Sequence, residues 1–304
     1  MARRDWDQVR AALDAFLAGS DRARLAAGDP VAFPRRYKTK ADREVAGLVA
    51  ASLAFGRVAS IRAKIGDALK RMGPSPAAYV DALEPKKALE DFRTWRHRMA
   101  GPRDLVYLLS GIRKVRETHG SLGKAFAEAA RSHPGDPQAT LGAFVDGLLA
   151  ADPKAVYGRI KPGPGFGNLL AHPKGGGPCK RLNLYLRWML RPEDGVDLGV
   201  WDAVPPSTLI IPLDTHIHRI GRYVGFTRLK TPRWETAAEI TSALARLDPA
   251  DPLKYDLALC HLGIAGDCPR HRVEAICARC GLREICRLPT RRPKAPAPAT
   301  RAGS

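Results

Sequence analysis

Two ionisable residues, Lys180 and Asp214, each stand at the beginning of an apolar segment and could carry chemistry. Lys180 precedes the run LNLYLRWML, and Asp214 stands between LIIPL and the amphipathic run THIHRIGRYVGF. An aspartate before a helix usually accepts backbone hydrogen bonds from the first turn. Apolar surroundings also raise the pKa of a carboxyl group, which suits it to proton transfer. We therefore predict that Asp214 is a helix cap and a candidate catalytic residue.

Lys180 is the candidate nucleophile. The positive end of a helix dipole lowers the pKa of a lysine in the first turn. The nearby cations Lys174, Arg181 and Arg187 would shift the pKa of Lys180 in the same direction. A lowered pKa favours the neutral amine, which is the form that attacks carbon. We therefore predict a lysine with a lowered pKa at this position.

A second interpretation makes Lys180 a ligand for phosphate. Gly175, Gly176 and Gly177 precede it and can bring backbone N–H groups close to a phosphate at a helix start. Arg181 follows it and adds a further cation. Under either interpretation of Lys180, we predict that the three glycines and Arg181 contact a nucleic acid.

Four cysteines near the end of the chain have the spacing of metal ligands. Cys268, Cys277, Cys280 and Cys286 form the pattern C-x8-C-x2-C-x5-C. Four thiolates close together in sequence suit either a [4Fe–4S] cluster or a tetrahedral zinc ion. The spacing alone does not separate these two metal centres.

Two basic residues, Arg270 and Arg272, lie between the first two of these cysteines and are predicted to contact phosphates. Cys179 and Cys260 fall outside the metal-binding pattern. Cys260 lies in an apolar helical segment, so we predict that it is a core residue.

The composition favours a globular protein with a polyanionic partner. The chain has 304 residues, 45% hydrophobic residues, a net charge of +19 and a pI near 10.1. Nucleic acid is the leading partner class, because lysine and arginine neutralise phosphates and release counterions. A genome that favours arginine codons is the alternative explanation. The start, MARRDWDQVR, lacks an apolar signal segment, and no apolar run approaches the roughly 20 residues of a membrane span.

We therefore expect a cytoplasmic protein without a membrane partner. The cytoplasm is reducing, and this favours a metal centre over disulfide bonds for the clustered cysteines.

The segments that must position these residues have the apolar periodicity of helices. Apolar residues recur at helical spacing from Trp6 to Leu17, and residues 44–71 read as one long buried helix interrupted at 55–57. Further helices are predicted at 102–120, 214–225, 233–247 and 253–264. No sustained alternation typical of strands occurs, so we predict an all-α fold. The segment 161–180 is dense in glycine and proline and is predicted to be a loop held against the rest of the protein.

At these residues the sequence resembles the helix-hairpin-helix DNA glycosylase superfamily, which includes endonuclease III. LDTHIHRIGRYVGF is similar to the segment that carries the catalytic aspartate of that superfamily, and GIAGDC with the cysteines is similar to its iron–sulfur loop. The loop between the first two cysteines is longer than in endonuclease III. HPKGGGPCK replaces the LPGVG-type hairpin, and the long separation of Lys180 from Asp214 is similar to that in archaeal 8-oxoguanine glycosylases. CKRLNLYLRWML, DLGVW and DPLKYDLAL also resemble a related uncharacterised bacterial family.

The resemblance implies a two-domain helix-hairpin-helix glycosylase-type fold with a C-terminal four-cysteine metal loop. Residues 41–190 would form a barrel-type helical domain that ends in the hairpin-like segment. Residues 1–40 and 191–287 would form the second domain with the metal loop. Residues 288–304, rich in proline, arginine and alanine, would form a disordered basic tail.

The resemblance also implies base-excision repair by a monomer on double-stranded DNA, and the expected lesion is an oxidised base. The damaged base would be flipped into a pocket. Lys180 would attack the sugar C1′ to form a Schiff base, and Asp214 would activate the amine, giving combined glycosylase and AP-lyase activity.

The candidates for the base pocket share an aromatic ring or a carboxylate near these two residues. They are Trp188, Trp201 and Asp197, with Tyr185 and Phe166 as further aromatic candidates.

Two other functions fit the same residues. One is a non-catalytic DNA-binding protein on a glycosylase scaffold, in which Lys180 only binds phosphate. The other is a zinc-bearing RNA-binding factor, because net charge does not distinguish RNA from DNA.

Overall fold

The structure is a computed structural model, and it describes residues 5–288. It consists of α-helices joined by loops and short 3-10 turns, and residues 5–288 contain no β-strand, which confirms the all-α prediction. The helices are α1 (Trp6–Ala18), α2 (Arg22–Gly28), α3 (Lys40–Ser52), α4 (Val58–Arg71), α5 (Pro76–Asp81), α6 (Pro85–Asp91), α7 (Pro102–His119), α8 (Leu122–Ser132), α9 (Pro137–Leu149), α10 (Lys154–Tyr157), α11 (Lys180–Leu190), α12 (Thr215–Tyr223), α13 (Trp234–Ala245), α14 (Asp256–Ile264) and α15 (Glu274–Cys277).

None of the helices within residues 5–288 has the length and hydropathy that a membrane span requires. The tail predicted over 288–304 lies outside the described residues, except for Leu288, which is buried.

Residues 44–71 form two helices, so the prediction of one long helix is wrong. Helix α3 ends at Ser52, and α4 begins at Val58. Gly56 between them has a φ of +109°, a backbone conformation that side chains with a Cβ rarely adopt. The interruption at Phe55-Gly56-Arg57 is therefore a turn rather than a kink within a helix, and this turn is exposed at Gly56 and Arg57.

Helix α11 is held against α3 in the core. All nine residues from Leu182 to Leu190 are buried, so the helix is enclosed on every side beyond its first turn. Gly47 of α3 permits the close approach, because a Cβ at this position would lie 2.8 Å from Met189 Cε. This packing fixes the position of Lys180, the first residue of α11.

The N-terminal segment packs against the C-terminal helices. Arg10 Nε donates to Leu247 O at 3.0 Å, and the Tyr255 hydroxyl donates to Asp14 Oδ1 at 2.7 Å. Helix α2 contacts α14. The division into two domains stays a prediction, but these contacts join the two sequence segments that it assigned to one domain.

A network of buried charged residues includes Asp256, the first residue of α14. Arg187 pairs with Asp197 at 3.3 Å and with Asp256 at 2.6 Å, and Arg191 pairs with Asp197 and Asp251. Burial lowers the pKa of Arg187, but the Asp197 and Asp256 carboxylates more than offset this effect and raise it. Asp197 is fully buried within this network, so the prediction that it reads a base is wrong.

The predicted aromatic candidates also lie in the core. Trp188 and Tyr185 are fully buried, and Phe166 packs edge-on against Tyr107. Trp201 stacks on an aromatic ring of α8 and donates from Nε1 to a buried glutamate of α3 at 2.7 Å. The predicted pocket roles of Trp188 and Trp201 are therefore wrong, because large apolar rings contribute most when they are removed from water.

The glycine-rich loop is held against the protein, as predicted. Gly165 packs so closely on α7 and the loop before it that a Cβ would lie 2.6 Å from Met99 O. The Tyr157 hydroxyl donates to Asp104 Oδ1 at 2.8 Å on the same surface. The loop therefore follows a fixed path toward the start of α11.

Replacing Arg187 with alanine should destabilise the protein strongly. The change leaves Asp197 and Asp256 buried with less compensating charge, which costs about 3–5 kcal/mol in comparable sites. Lys174→Ala is the control, because its ion pair with Asp146 is exposed and such pairs contribute about 0–1 kcal/mol. Urea unfolding followed by circular dichroism measures both. A free energy of unfolding for Arg187→Ala equal to that of the control would contradict this account.

Candidate active site

The structure brings Lys180 and Asp214 into direct contact. Lys180 Nζ lies 3.2 Å from Asp214 Oδ2, although 33 residues separate them in the sequence. Asp214 Oδ1 accepts hydrogen bonds from the backbone N–H groups of His216 and Ile217, both at 2.8 Å. The cap prediction is confirmed, and the two carboxylate oxygens have separate roles: one caps α12 and the other faces the lysine.

Two local features place the pair at the heads of their helices. Cys179, before α11, adopts a left-handed backbone with a φ of +44°, so the chain turns sharply just before Lys180. Before α12, the LIIPL segment is buried, and the Ile211 backbone N–H donates to Thr241 Oγ1 at 2.9 Å. The apolar segment thus anchors Asp214 from one side, and the helix cap anchors it from the other.

Lys180 and Asp214 lie in a cavity of about 710 Å³. This volume is within the range of sites that enclose small-molecule ligands. The α3–α4 turn, the heads of α11 and α12, and one face of α14 form its walls. Lining residues that bear on the chemistry are Phe55, Arg57, Arg181, His216, Asp256 and Cys260.

The charge state of the pair differs from the prediction. Burial lowers the pKa of Lys180, but the Asp214 carboxylate more than offsets it, and the pKa of Lys180 is raised. The cations expected to lower it are engaged elsewhere: Lys174 pairs with Asp146 and Arg187 lies in the buried network. Burial raises the pKa of Asp214, but Lys180 and the helix cap reverse this, so its pKa is lowered. The resting pair is an ammonium and a carboxylate.

Helix α14 adds two residues that the sequence interpretation missed. The Cys260 thiol donates to Asp214 Oδ2 at 3.5 Å, so this oxygen receives both the thiol and the ammonium group. Burial raises the pKa of Cys260 well above its usual value, which keeps the thiol protonated as a donor. Cys260 therefore packs against the core, as predicted, and also lines the site.

Asp256 lies one helical turn before Cys260 and also faces the cavity. Its Oδ2 pairs with Arg187, whereas its buried Oδ1 has no hydrogen-bond partner within the described residues. Burial raises the pKa of Asp256 to about 6, although Arg187 acts in the opposite direction. The i, i+4 spacing of Asp256 and Cys260 is the sequence signal that could have placed both on one face of the helix.

Arg181 lines the cavity, but its guanidinium group is engaged by the protein. It donates to the carbonyl oxygens of Ser52 and Asn168 and lies 4.8 Å from the centre of the Phe55 ring. Burial lowers the pKa of Arg181 to about 10. Arg181 thus fixes the α3–α4 turn beside α11, and its predicted DNA contact stays a prediction.

The predicted phosphate-binding glycines precede this cavity and do not line it. Gly176 has a φ of +70°, and its carbonyl oxygen accepts from the Trp234 backbone N–H at 3.1 Å. Gly175 is exposed, and the space around Gly175, Gly176 and Gly177 would leave room for a Cβ at each. Their predicted contact with phosphate stays a prediction.

The four predicted metal ligands are free, partly buried thiols. Burial, and the nearby cysteines of the same set, raise the pKa values of the Cys268 and Cys280 thiols. The donor chemistry of four thiols fits a group bound by thiolates. Within residues 5–288, however, no three or more His, Cys, Asp or Glu side chains are placed as a metal-holding group. The metal centre stays a prediction.

Arg270 and Arg272 lie in the loop between the first two cysteines. Arg270 is exposed, and its carbonyl oxygen accepts from the Tyr223 hydroxyl at 3.0 Å, which ties the loop to α12. Arg272 is half-buried, and its Nε has no hydrogen-bond partner among the described residues. The phosphate contacts of both arginines stay predictions.

The family model described as "Protein of unknown function (DUF2400)" matches residues 29–265. The chain belongs to this family, because the match covers most of its length and includes Lys180, Asp214, Asp256 and Cys260. No curated protein and no solved structure matches the chain.

Replacing Asp214 with asparagine should lower the pKa of Lys180 below its usual value. Burial lowers that pKa and the Asp214 carboxylate raises it, so removing the carboxylate charge leaves burial as the largest effect. Asparagine can still cap α12. Reductive ¹³C-methylation of the lysines followed by NMR titration measures the pKa, with exposed Lys174 as the internal control. An unchanged Lys180 titration in Asp214→Asn would show that the two groups do not interact.

Proposed function

We propose that this member of the DUF2400 family is a DNA glycosylase with AP-lyase activity, which removes a damaged base and then cleaves the strand. The observation that carries the proposal is the 3.2 Å contact between Lys180 Nζ and Asp214 Oδ2 inside a cavity of about 710 Å³. A lysine and a carboxylate in contact are the minimum set for a Schiff base at a sugar carbon. The proposed two-domain helix-hairpin-helix architecture belongs to the same proposal.

The raised pKa of Lys180 means that the amine must lose a proton before it can attack. Asp214 Oδ2 is the nearest acceptor, and proton transfer between the two would give a neutral amine and a carboxylic acid. The Cys260 thiol donates to the same oxygen and keeps it directed at Lys180. The cap on Oδ1 prevents rotation of the carboxyl group while this happens.

The reaction follows from these positions. As the bond between C1′ and the damaged base breaks, the electron pair leaves with the base, which takes up the proton that Asp214 received from Lys180. Asp214, when ionised, stabilises the positive charge that develops on the sugar. The neutral Lys180 amine forms a bond to C1′, and one of its two protons passes to the ring oxygen O4′ as the C1′–O4′ bond breaks, which leaves a ring-opened iminium ion with one N–H. Loss of the C2′ proton then expels the 3′ phosphate by β-elimination.

The proposed cofactor is a [4Fe–4S] cluster held by Cys268, Cys277, Cys280 and Cys286. A bound cluster would link the two ends of this loop through its bonds to the cysteines. It would not donate an electron in the removal of the base. The loop would then hold Arg270 and Arg272 at the DNA backbone.

The proposed partner is double-stranded DNA with a damaged base, bound by a monomer in the cytoplasm. The net charge of +19 supports a polyanionic partner. The base would be flipped into the cavity, where the unpaired Asp256 Oδ1 offers an acceptor. An oxidised base is the proposed lesion, because lysine nucleophiles accompany such substrates in the superfamily that the chain resembles.

A non-catalytic DNA-binding protein is the second candidate. The observation that favours it is the ion pair itself, because the raised pKa of Lys180 keeps the amine protonated at rest. In that case Lys180 would act only as a cation for phosphate. Strand cleavage separates the two candidates.

Lys180→Ala should abolish cleavage of duplexes that carry 8-oxoguanine, thymine glycol, uracil or an abasic site. Asp214→Asn should lower the cleavage rate by about 10²–10⁴, the range for a lost acid or base. Gel electrophoresis of end-labelled duplexes measures the rate, and Lys174→Ala is the control with full activity. Cleavage by Lys180→Ala at the wild-type rate, or no cleavage of any duplex by the wild type, would exclude the lyase.

The anaerobically purified protein should contain about four iron atoms per chain and absorb visible light, because four thiolates would hold one [4Fe–4S] cluster. Replacing Cys268, Cys277, Cys280 or Cys286 with alanine should lower the iron content, whereas Cys179→Ser should not, since Cys179 lies outside the pattern. Elemental analysis and absorbance spectra measure both. A colourless protein with one zinc ion would contradict the cluster.

A further inference from the structure

A second cavity, of about 630 Å³, is lined by four exposed arginines. They are Arg93, Arg96, Arg103 and Arg159, from three separate segments of the chain. Such convergence of cations is costly unless an anion neutralises them, because like charges repel. The candidate active site does not use any of the four.

These four guanidinium groups form no ion pair and no hydrogen bond within residues 5–288, whereas Arg187 and Arg191 of the buried network both pair with carboxylates. Two carboxylates line the same cavity, those of Glu90 and Asp104. Asp104 is engaged, since Oδ1 accepts from the Tyr157 hydroxyl and Oδ2 accepts from the Gly101 backbone N–H, both at 2.8 Å. Four guanidinium groups thus face two carboxylates, so the cavity carries a net positive charge.

The arginines of this cavity lie next to a tight turn of buried and exposed residues. Trp95 and His97 are buried, whereas Arg96 and Arg98 between and after them are exposed. The backbones of His97 and Ala100 exchange two hydrogen bonds, at 2.9 and 3.0 Å, and close a tight turn. Within it Arg98 has a φ of +54°, a strained conformation that the surrounding contacts maintain. Preorganised arginines lose less entropy on binding.

This surface is continuous with the candidate active site. Phe55 lines the catalytic cavity, and its ring lies 4.4 Å from the His97 ring. His97 Nε2 hydrogen-bonds to Phe55 O at 2.9 Å. Arg98 lies against Gly56, where a Cβ would be 3.3 Å from Arg98 Cδ. The α3–α4 turn therefore forms the border between the two cavities.

We infer that the arginine surface, defined as Arg93, Arg96, Arg98, Arg103 and Arg159, binds the phosphate backbone of the DNA duplex that enters the catalytic cavity. The inference rests on the proposed function and adds the path of the duplex away from the lesion. Arginine suits this role because its planar fork binds phosphate oxygens in pairs. A duplex presents one charge per roughly 1.7 Å of axis, so a bound backbone can neutralise several arginines at once.

The test measures how the affinity of the full-length protein for an undamaged duplex depends on salt. The variant Arg96→Ala/Arg103→Ala/Arg159→Ala should reduce the slope of log K against log salt by about three, one for each lost phosphate contact. The control variant Lys114→Ala/Lys124→Ala/Arg131→Ala removes the same charge from exposed positions that line neither cavity, and should keep the wild-type slope. Circular dichroism verifies that both variants are folded.

An unchanged slope in the arginine variant, or an equal loss in the control variant, would overturn the inference. The inference would also be overturned if the arginine variant lowered the salt dependence of binding to single-stranded RNA but not of binding to the DNA duplex. The surface would then bind RNA. Strand cleavage separates the two proposals. If the wild type does not cleave DNA but the arginine variant shows a reduced salt slope, the lyase proposal fails and the proposed DNA-binding surface is supported. If the wild type cleaves and the slope is unchanged, only the surface fails.

Discussion

The contact between Lys180 and Asp214 sets the arrangement of the surrounding structure. A cation and an anion taken out of water stay charged only if they meet each other closely, so the heads of α11 and α12 must lie side by side. The burial of α11 against α3 fixes the lysine, and the helix cap with the LIIPL segment fixes the aspartate. The third wall, α14, adds a thiol to the same carboxylate oxygen. The site is thus a junction of three helices rather than a loop.

A chain of buried ion pairs extends from this junction into the core. Asp256 on α14 joins the cavity to Arg187, and Arg187 in turn joins Asp197 in the core. Removing any member leaves a buried charge without its partner, which links the stability of the core to the integrity of the site. On the other side, the α3–α4 turn separates the site from exposed arginines that lack such partners. Compensated charges therefore lie inside the protein, and uncompensated ones lie where a polyanion can reach them.

Sequence patterns predicted the features that depend on local structure. The helix cap at Asp214, the start of α11 at Lys180 and the all-α fold follow from spacing and residue type alone. Patterns failed where distant segments decide the outcome. The predicted shift in the pKa of Lys180 was wrong in sign because burial, which lowers this pKa, is more than offset by the Asp214 carboxylate. Trp188, Trp201 and Asp197 are near the lysine in sequence, but all three are buried in the core, Trp188 on α11 and the other two in the segment that follows it. The spacing of Asp256 and Cys260 places them on one face of α14, but only the packing of that helix brings this face to the site.

The most direct measurement of the central claim is the identification of the residue that becomes covalently attached to DNA. Full-length protein is mixed with a duplex that carries an abasic site, the mixture is reduced with borohydride, and the adduct is digested and sequenced by mass spectrometry. The account predicts a single modified peptide with the sugar remnant on Lys180, and no adduct with Lys180→Ala. An adduct on another lysine, or tight binding without any adduct, would contradict the assignment of Lys180 as the nucleophile.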